Sequence, residues 1–89
     1  MSISQTLAAL ADPNRQKILA ALQKSELPVS AIAKNLNITL ATLSHHLDIL
    51  RRAGLVSSRR EGRQIFYELN LSVADEMIAA LTKMFKKSK

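Results

Sequence analysis

At 89 residues the chain suits one domain with a small core, and with no cysteine it has no disulfide, thiolate zinc site or redox switch to reinforce that core. Apolar residues make up 47% but aromatics only 3%, which points to a helical Leu, Ile and Ala core and excludes an aromatic stacking platform for single-stranded nucleic acid. The net charge of +6 implies a polyanionic partner or an anionic surface, and no apolar run approaches the roughly 20 residues of a membrane span.

The first stretch, Met1 to Ala11, lacks the basic start of a secretory signal and is interrupted by Gln5 and Thr6, so the chain is expected to stay in the cytoplasm. Ser2 can cap a short helix, with Gln5 three residues on as in a capping box, and Ile3, Leu7 and Leu10 share one face of it. Asp12 and Pro13 suit the N-cap and N1 positions of a second helix, whose core stripe is Ile18, Leu19 and Leu22. Residues Ser25 to Pro28 read as a connection. A third helix then runs from Val29 to Leu36 with Val29, Ile32, Ala33 and Leu36 inward, and Asn37 can take the left-handed conformation that ends it.

The stretch Leu36 to Arg52 is the centre of the reading. Thr39 suits an N-cap, and Leu43, Leu47 and Leu50 form one apolar stripe. At about 100° per residue, Ala41, Ser44, His45, Asp48 and Arg52 fall on the opposite arc, a face of small, polar and basic groups that suits the edges of base pairs. Two helices joined by a tight turn make a helix-turn-helix over about 29–53. Leu40 and Ala41 offer apolar contact to a thymine methyl, Thr42 and Ser44 can hydrogen-bond bases or phosphates, and His45 can donate to either. His46 lies about 100° from His45, towards the leucine stripe, and reads as a hydrogen-bonded spacer. Adjacent histidines without a cysteine or a third histidine do not make a zinc site.

Gly54 and Leu55 suit the stop of that helix, and the hydropathy period then changes to that of strands. Leu55 to Arg60 and Arg63 to Leu69 are expected to pair as a hairpin about Glu61-Gly62, a wing spanning about 55–69. Arg51, Arg52, Arg59, Arg60 and Arg63 crowd against a single Glu61, and Arg60 and Arg63 flank the tip, where they can hold the DNA backbone. Ser72 and Asp75 repeat the capping signature, so a last helix is expected from about Val73 to Lys86. Its stripe of Val73, Met77, Ala80, Leu81 and Met84 is widened by Ala74, Ile78 and Phe85 beyond what one core requires. The terminal helices, about 2–11 and 72–86, are therefore expected to build a twofold homodimer through Ile3, Leu7, Leu10, Met77, Ile78, Leu81, Met84 and Phe85. Lys83, Lys86, Lys87 and Lys89 form a second basic cluster that reads as a solvated tail.

The expected fold is mainly α (α+β), a single winged helix-turn-helix domain of four helices, a hairpin and a fifth helix. Four motifs in this order, Leu10-Ala-Asp-Pro-Asn-Arg-Gln-Lys-Ile-Leu19, Leu43-Ser-His-His-Leu47, Ala53-Gly-Leu-Val56 and Arg60-Glu-Gly-Arg-Gln-Ile-Phe-Tyr67, resemble the ArsR family of bacterial transcriptional repressors. The resemblance covers about Leu7 to Leu69 and implies a homodimer that occupies double-stranded operator DNA. It also implies metal sensing, from which this chain departs. Pro28, Val29 and Ser30 stand where one class has Cys-Val-Cys, and Asp75 is followed by Glu76 and Met77 where another has Asp-x-His. No metal or other cofactor is therefore expected. In length and in lacking sensor ligands the chain is more similar to the small autorepressors of toxin-immunity operons in this family, which implies control by a sequestering protein partner. No paired carboxylates or Gly-rich phosphate loop supports catalysis. The rival readings are a winged-helix module that binds only protein, which the arginine cluster opposes, and a nonspecific architectural DNA binder, which would not need the polar face on the fourth helix.

Overall fold

The computed structural model describes residues 2–86, and Lys87 and Lys89 of the basic tail lie outside them. The elements are α1 (Ile3–Leu10), α2 (Pro13–Leu22), β1 (Leu27–Pro28), α3 (Val29–Leu36), α4 (Leu40–Arg52), β2 (Val56–Glu61), β3 (Gln64–Leu69) and α5 (Leu71–Phe85). Polar side chains begin three of the helices. Ser2 Oγ accepts from the Gln5 N–H, Asp12 Oδ1 from those of Asn14 and Arg15, and Thr39 Oγ1 from that of Thr42. Each satisfies amide groups that have no carbonyl within the helix.

Two helix ends are closed by the same backbone device. Asn37 has φ 54°, and the Ile38 N–H donates back to Ala33 O; Gly54 has φ 78°, and the Leu55 N–H donates to Leu50 O at 3.0 Å. These 6→1 bonds turn the chain sharply after α3 and after α4. The first sets the helix-turn-helix angle. The second aims the chain into the wing.

The core joins every helix to the base of the sheet: Ala9 from α1, Ile18 and Leu22 from α2, Ile32 from α3, Leu43, Leu47 and Leu50 from α4, then Ala53, Leu55, Val56 and Val73. Burying one such leucine or isoleucine stabilises the fold by about 1.5–3 kcal/mol, which gives α4 three anchors. The Asn70 N–H donates to Leu55 O at 3.0 Å, so α5 departs from the point where α4 ends.

Three expectations need correction. The segment read only as a connection contains β1, which pairs antiparallel with β3 (Leu27 with Tyr67, Pro28 with Phe66), making a three-stranded sheet of order β1-β3-β2. A strand this short has no alternating pattern to read. The hairpin register runs from Val56 opposite Leu69 to Glu61 opposite Gln64, so the two-residue turn is Gly62-Arg63 rather than Glu61-Gly62. Gly62 has φ +62° at the first central position, as a II′-type loop demands, and Arg63 is in the turn itself. The last helix starts at Leu71 with Asn70 at its N-cap, and Ser72 does not cap it: Ser72 Oγ donates to Asn70 Oδ1 at 2.7 Å. On α1, Thr6 and Ala9 are buried and Leu7 is exposed, while Ile3 and Leu10 are partly covered, Leu10 against the core. The Thr6 hydroxyl is tolerated there because it donates to Ser2 O.

Candidate nucleic-acid interface

With Leu43, Leu47 and Leu50 holding α4 down, the opposite arc is left to solvent. Leu40, Ala41, Thr42, Ser44, His45, Arg51 and Arg52 are all exposed, and Asp48 is half-buried among them. Leu40 is 58% exposed although it opens the helix, an unusual position for a leucine unless something covers it. The Thr42 hydroxyl meets Thr39 Oγ1 at 3.0 Å, so at rest it belongs to the cap.

The wing stands beside this arc. Pro28 and Ser30 at the start of α3, Leu40, Ser44, Asp48 and Arg51 on α4, and Arg63, Gln64, Ile65 and Tyr67 on the hairpin line one cleft of about 450 Å³. Cross-strand pairing puts Arg60 opposite Ile65, on the sheet face that also carries Ser58, Tyr67 and the buried Val56. Arg60 and Arg63 thus belong to the side of the wing that α4 faces. Gln64, Ile65 and Tyr67 were not singled out from the sequence. Their place in the cleft depends on the register of the hairpin, which periodicity alone left one residue off.

Arg59 is different. It lies on the other face of the sheet, paired with Glu26 and Glu61, with its guanidinium 4.8 Å above the Phe66 ring. The hydrogen bond to Glu26, followed by that to Glu61, raises its proton affinity further above its ordinary range. Of the five crowded arginines this one braces the wing against the α2 to α3 connection, and it points away from the cleft.

The electrostatics of α4 centre on Asp48. Its Oδ1 accepts from Arg51 Nη2 at 2.9 Å, and its Oδ2 forms an ion pair with Arg52 Nε at 2.9 Å. Both pairs have the i, i+3 and i, i+4 spacing that brings side chains together on one helix face.

His46 is buried, and its Nδ1 lies 3.2 Å from Arg15 Nη1. Arg15 also donates through Nε to Ala9 O at 2.7 Å and through Nη2 to Ala8 O at 3.1 Å. One guanidinium therefore ties the end of α1, the start of α2 and the middle of α4. This places His46 in the scaffold, and His45 on the surface of the arc.

The residues expected at a dimer interface fall into two groups. Leu7, Ile78, Met84 and Phe85 are exposed, at 40%, 63%, 66% and 85%, while Ile3, Leu10 and Leu81 are partly covered. Met77, by contrast, is buried by its own chain. Lys83 and Lys86 are exposed at the end of α5.

Among the described residues no three His, Cys, Asp or Glu side chains gather where they could hold a metal ion. Pro28 and Ser30 offer no thiolate, and Asp75 and Glu76 are exposed on α5 without a third ligand. The residues present do not fit the metal sites the family resemblance implies. No described helix is long and apolar enough to cross a membrane.

A helix-turn-helix whose second helix shares a cleft with a basic hairpin defines a winged helix. Comparison with known proteins agrees: a model of a helix-turn-helix domain matches residues 10–59. The chain is 37% identical over 76 residues to the transcriptional repressor SdpR of Bacillus subtilis, covering 85% of this chain and 84% of that protein. It is also 37% identical over 79 residues to the transcriptional activator HlyU of Vibrio cholerae, covering 89% of this chain and 73% of that one. A solution structure from Mycobacterium bovis, described as a homodimeric winged helix-turn-helix DNA-binding domain of a possible ArsR-family transcriptional regulator, superposes with a TM-score of 0.77 at 32% identity, over 92% of this chain and 77% of that one. The chain belongs to the ArsR family of winged-helix transcriptional regulators, which are DNA-binding proteins and not enzymes.

Proposed function

We propose that the protein is a homodimeric repressor that binds a near-palindromic operator in double-stranded DNA and controls its own promoter from the cytoplasm. The observation that carries this reading is the shared cleft, in which Ser44 and Asp48 of α4 face Arg63 of the wing. In such an arrangement α4 enters the major groove, with Leu40, Ala41, Thr42, Ser44 and His45 towards the bases, while Arg51, Arg52, Arg60 and Arg63 meet phosphates. The two α4 helices of a dimer then reach successive grooves roughly 34 Å apart.

The exposed side chains of Leu7, Ile78, Met84 and Phe85 support dimer formation through α1 and α5, as does the homodimer described for the Mycobacterium bovis relative. Pro28, Val29 and Ser30, and Asp75, Glu76 and Met77, stand where metal-sensing members carry ligands, and with no metal-holding cluster among the described residues this supports a regulator relieved by a sequestering protein.

The test is a mobility-shift titration on the protein's own promoter beside random duplex DNA, repeated across a salt series. A dimer that neutralises on the order of 6–10 phosphates should lose affinity with a log–log salt slope of about −5 to −9 and should prefer the promoter. Equal binding to both duplexes, or a flat salt response, refutes the reading.

A further inference from the structure

Among the residues that line the cleft between α4 and the wing of this basic protein, one is a carboxylate, Asp48. Asp48 is one turn beyond Ser44 on α4 and lines the same cleft as Arg63. Both of its oxygens are engaged, one by Arg51 and one by Arg52, each at 2.9 Å. Its side chain is 40% exposed, so the pairs are open to solvent and contribute little to folding. A carboxylate placed only to brace a helix has no need of the surface that meets DNA.

We propose that Asp48 is a specificity-determining residue that lowers affinity for non-specific DNA more than for the operator. The inference rests on α4 being the DNA-reading helix. When the face meets an arbitrary duplex, Arg51 and Arg52 must exchange Asp48 for phosphates, which leaves an unpaired carboxylate against a polyanion. That repulsion applies to every sequence. On the operator the carboxylate gains a partner, because an Asp on a major-groove helix can accept from a cytosine N4 amino group. The penalty is offset only where the right base lies opposite. Asp48 thus acts by rejection, as interfaces do that discriminate by an unpaired charge against wrong partners.

The experiment uses the full chain and a duplex enriched by the wild-type protein from a random pool, with a scrambled duplex of equal length as control. In Asp48→Asn the scrambled-duplex Kd should fall by about tenfold or more, while the enriched-duplex Kd changes much less, so the specificity ratio collapses. The salt slope on the scrambled duplex should steepen by about 0.9 for each protomer, because the carboxylate no longer offsets one cationic charge at the phosphates. Asp48→Glu should keep the wild-type ratio. A bracing role alone would lower thermal stability and leave the salt slope unmoved. An equal gain on both duplexes, or no gain on the scrambled one, overturns the proposal. Asp48→Ser repeats the comparison should the Asn variant fold poorly. Failure of the wild-type protein to enrich any duplex would instead overturn the DNA-reading assignment of α4, and the role of Asp48 with it.

Discussion

Nδ1 of His46 faces Nη1 of Arg15 at 3.2 Å, and since a guanidinium can only donate, the neutral imidazole must accept at Nδ1 and carry its proton on Nε2. The ring also lies 3.9 Å from Asp12 Oδ1, too far for a hydrogen bond, so the arginine contact sets the tautomer. Long-range nitrogen–proton correlation spectra should show the Nε2–H form in the wild-type protein. Arg15→Ala removes three donors, two of them from partly buried acceptors, and should cost about 1.5–3 kcal/mol in urea unfolding. Arg15→Lys should recover only part of this, because an ammonium cannot fork to Ala8, Ala9 and His46 together. Full recovery by Lys would mean that charge alone matters there.

Acid should act on the same joint through Asp12. The Arg15 N–H bonded to its carboxylate lowers its proton affinity below the ordinary value of 3.8; partial burial opposes this, and the Asn14 N–H and the Arg15 charge add to it. A carboxylate depressed on folding contributes stability that is present above 3.8 and lost as pH falls through its lower folded value. The protein should therefore lose stability below about pH 4 partly through this group. Asp12→Asn, which keeps a capping oxygen, should flatten that part of the profile, while Asp12→Ala should cost about 0.5–2 kcal/mol at neutral pH. Unfolding free energies measured from pH 7 down to pH 3 distinguish the two.

Base reading and backbone holding should separate by mutation. Ser44→Ala or His45→Ala is expected to cost about 1–3 kcal/mol on the operator and to relax sequence preference, since both are exposed on the arc of α4. Arg63→Ala should weaken operator and random DNA alike and make the salt slope shallower by about 0.9 per protomer. If the helix variants bind the operator normally, another face reads the bases.

Self-association should depend on side chains that the protomer leaves uncovered. Ile78→Glu or Phe85→Glu changes residues that are 63% and 85% exposed, so the fold should persist while the dimer dissociates. Sedimentation velocity should show a folded monomer, and operator affinity should fall because the second half-site is no longer tethered. A variant that remains dimeric would move the interface off this face of α5.

Local chemistry made much of this protein legible in its sequence. Asp12-Pro13, Asn37, Thr39 and Gly54 each demand a particular backbone state, and each marks a helix boundary that the structure keeps. The leucine stripe of α4 likewise decided which arc would be exposed, because helical period leaves no choice once one side is anchored. Ser72 misled because a hydroxyl near a helix start can bond a neighbouring side chain as easily as a backbone amide, and it donates to Asn70.

What only the tertiary structure decided involves contacts between residues distant in the chain. Leu27 and Pro28 become a strand because β3 offers a free edge at Tyr67 and Phe66. Arg59 is separated from Arg60 because adjacent strand residues point to opposite faces and only one face has Glu26 near it. His46 has its partner 31 positions away. Periodicity reports which side of an element is apolar, and it carries no information on which distant polar group meets that element. The sequence by itself therefore determined a helix with a free polar arc beside a basic hairpin, and the packing of α1 and α2 on α4 and of β1 on β3 decided which arginines turn to that helix and which hold the frame.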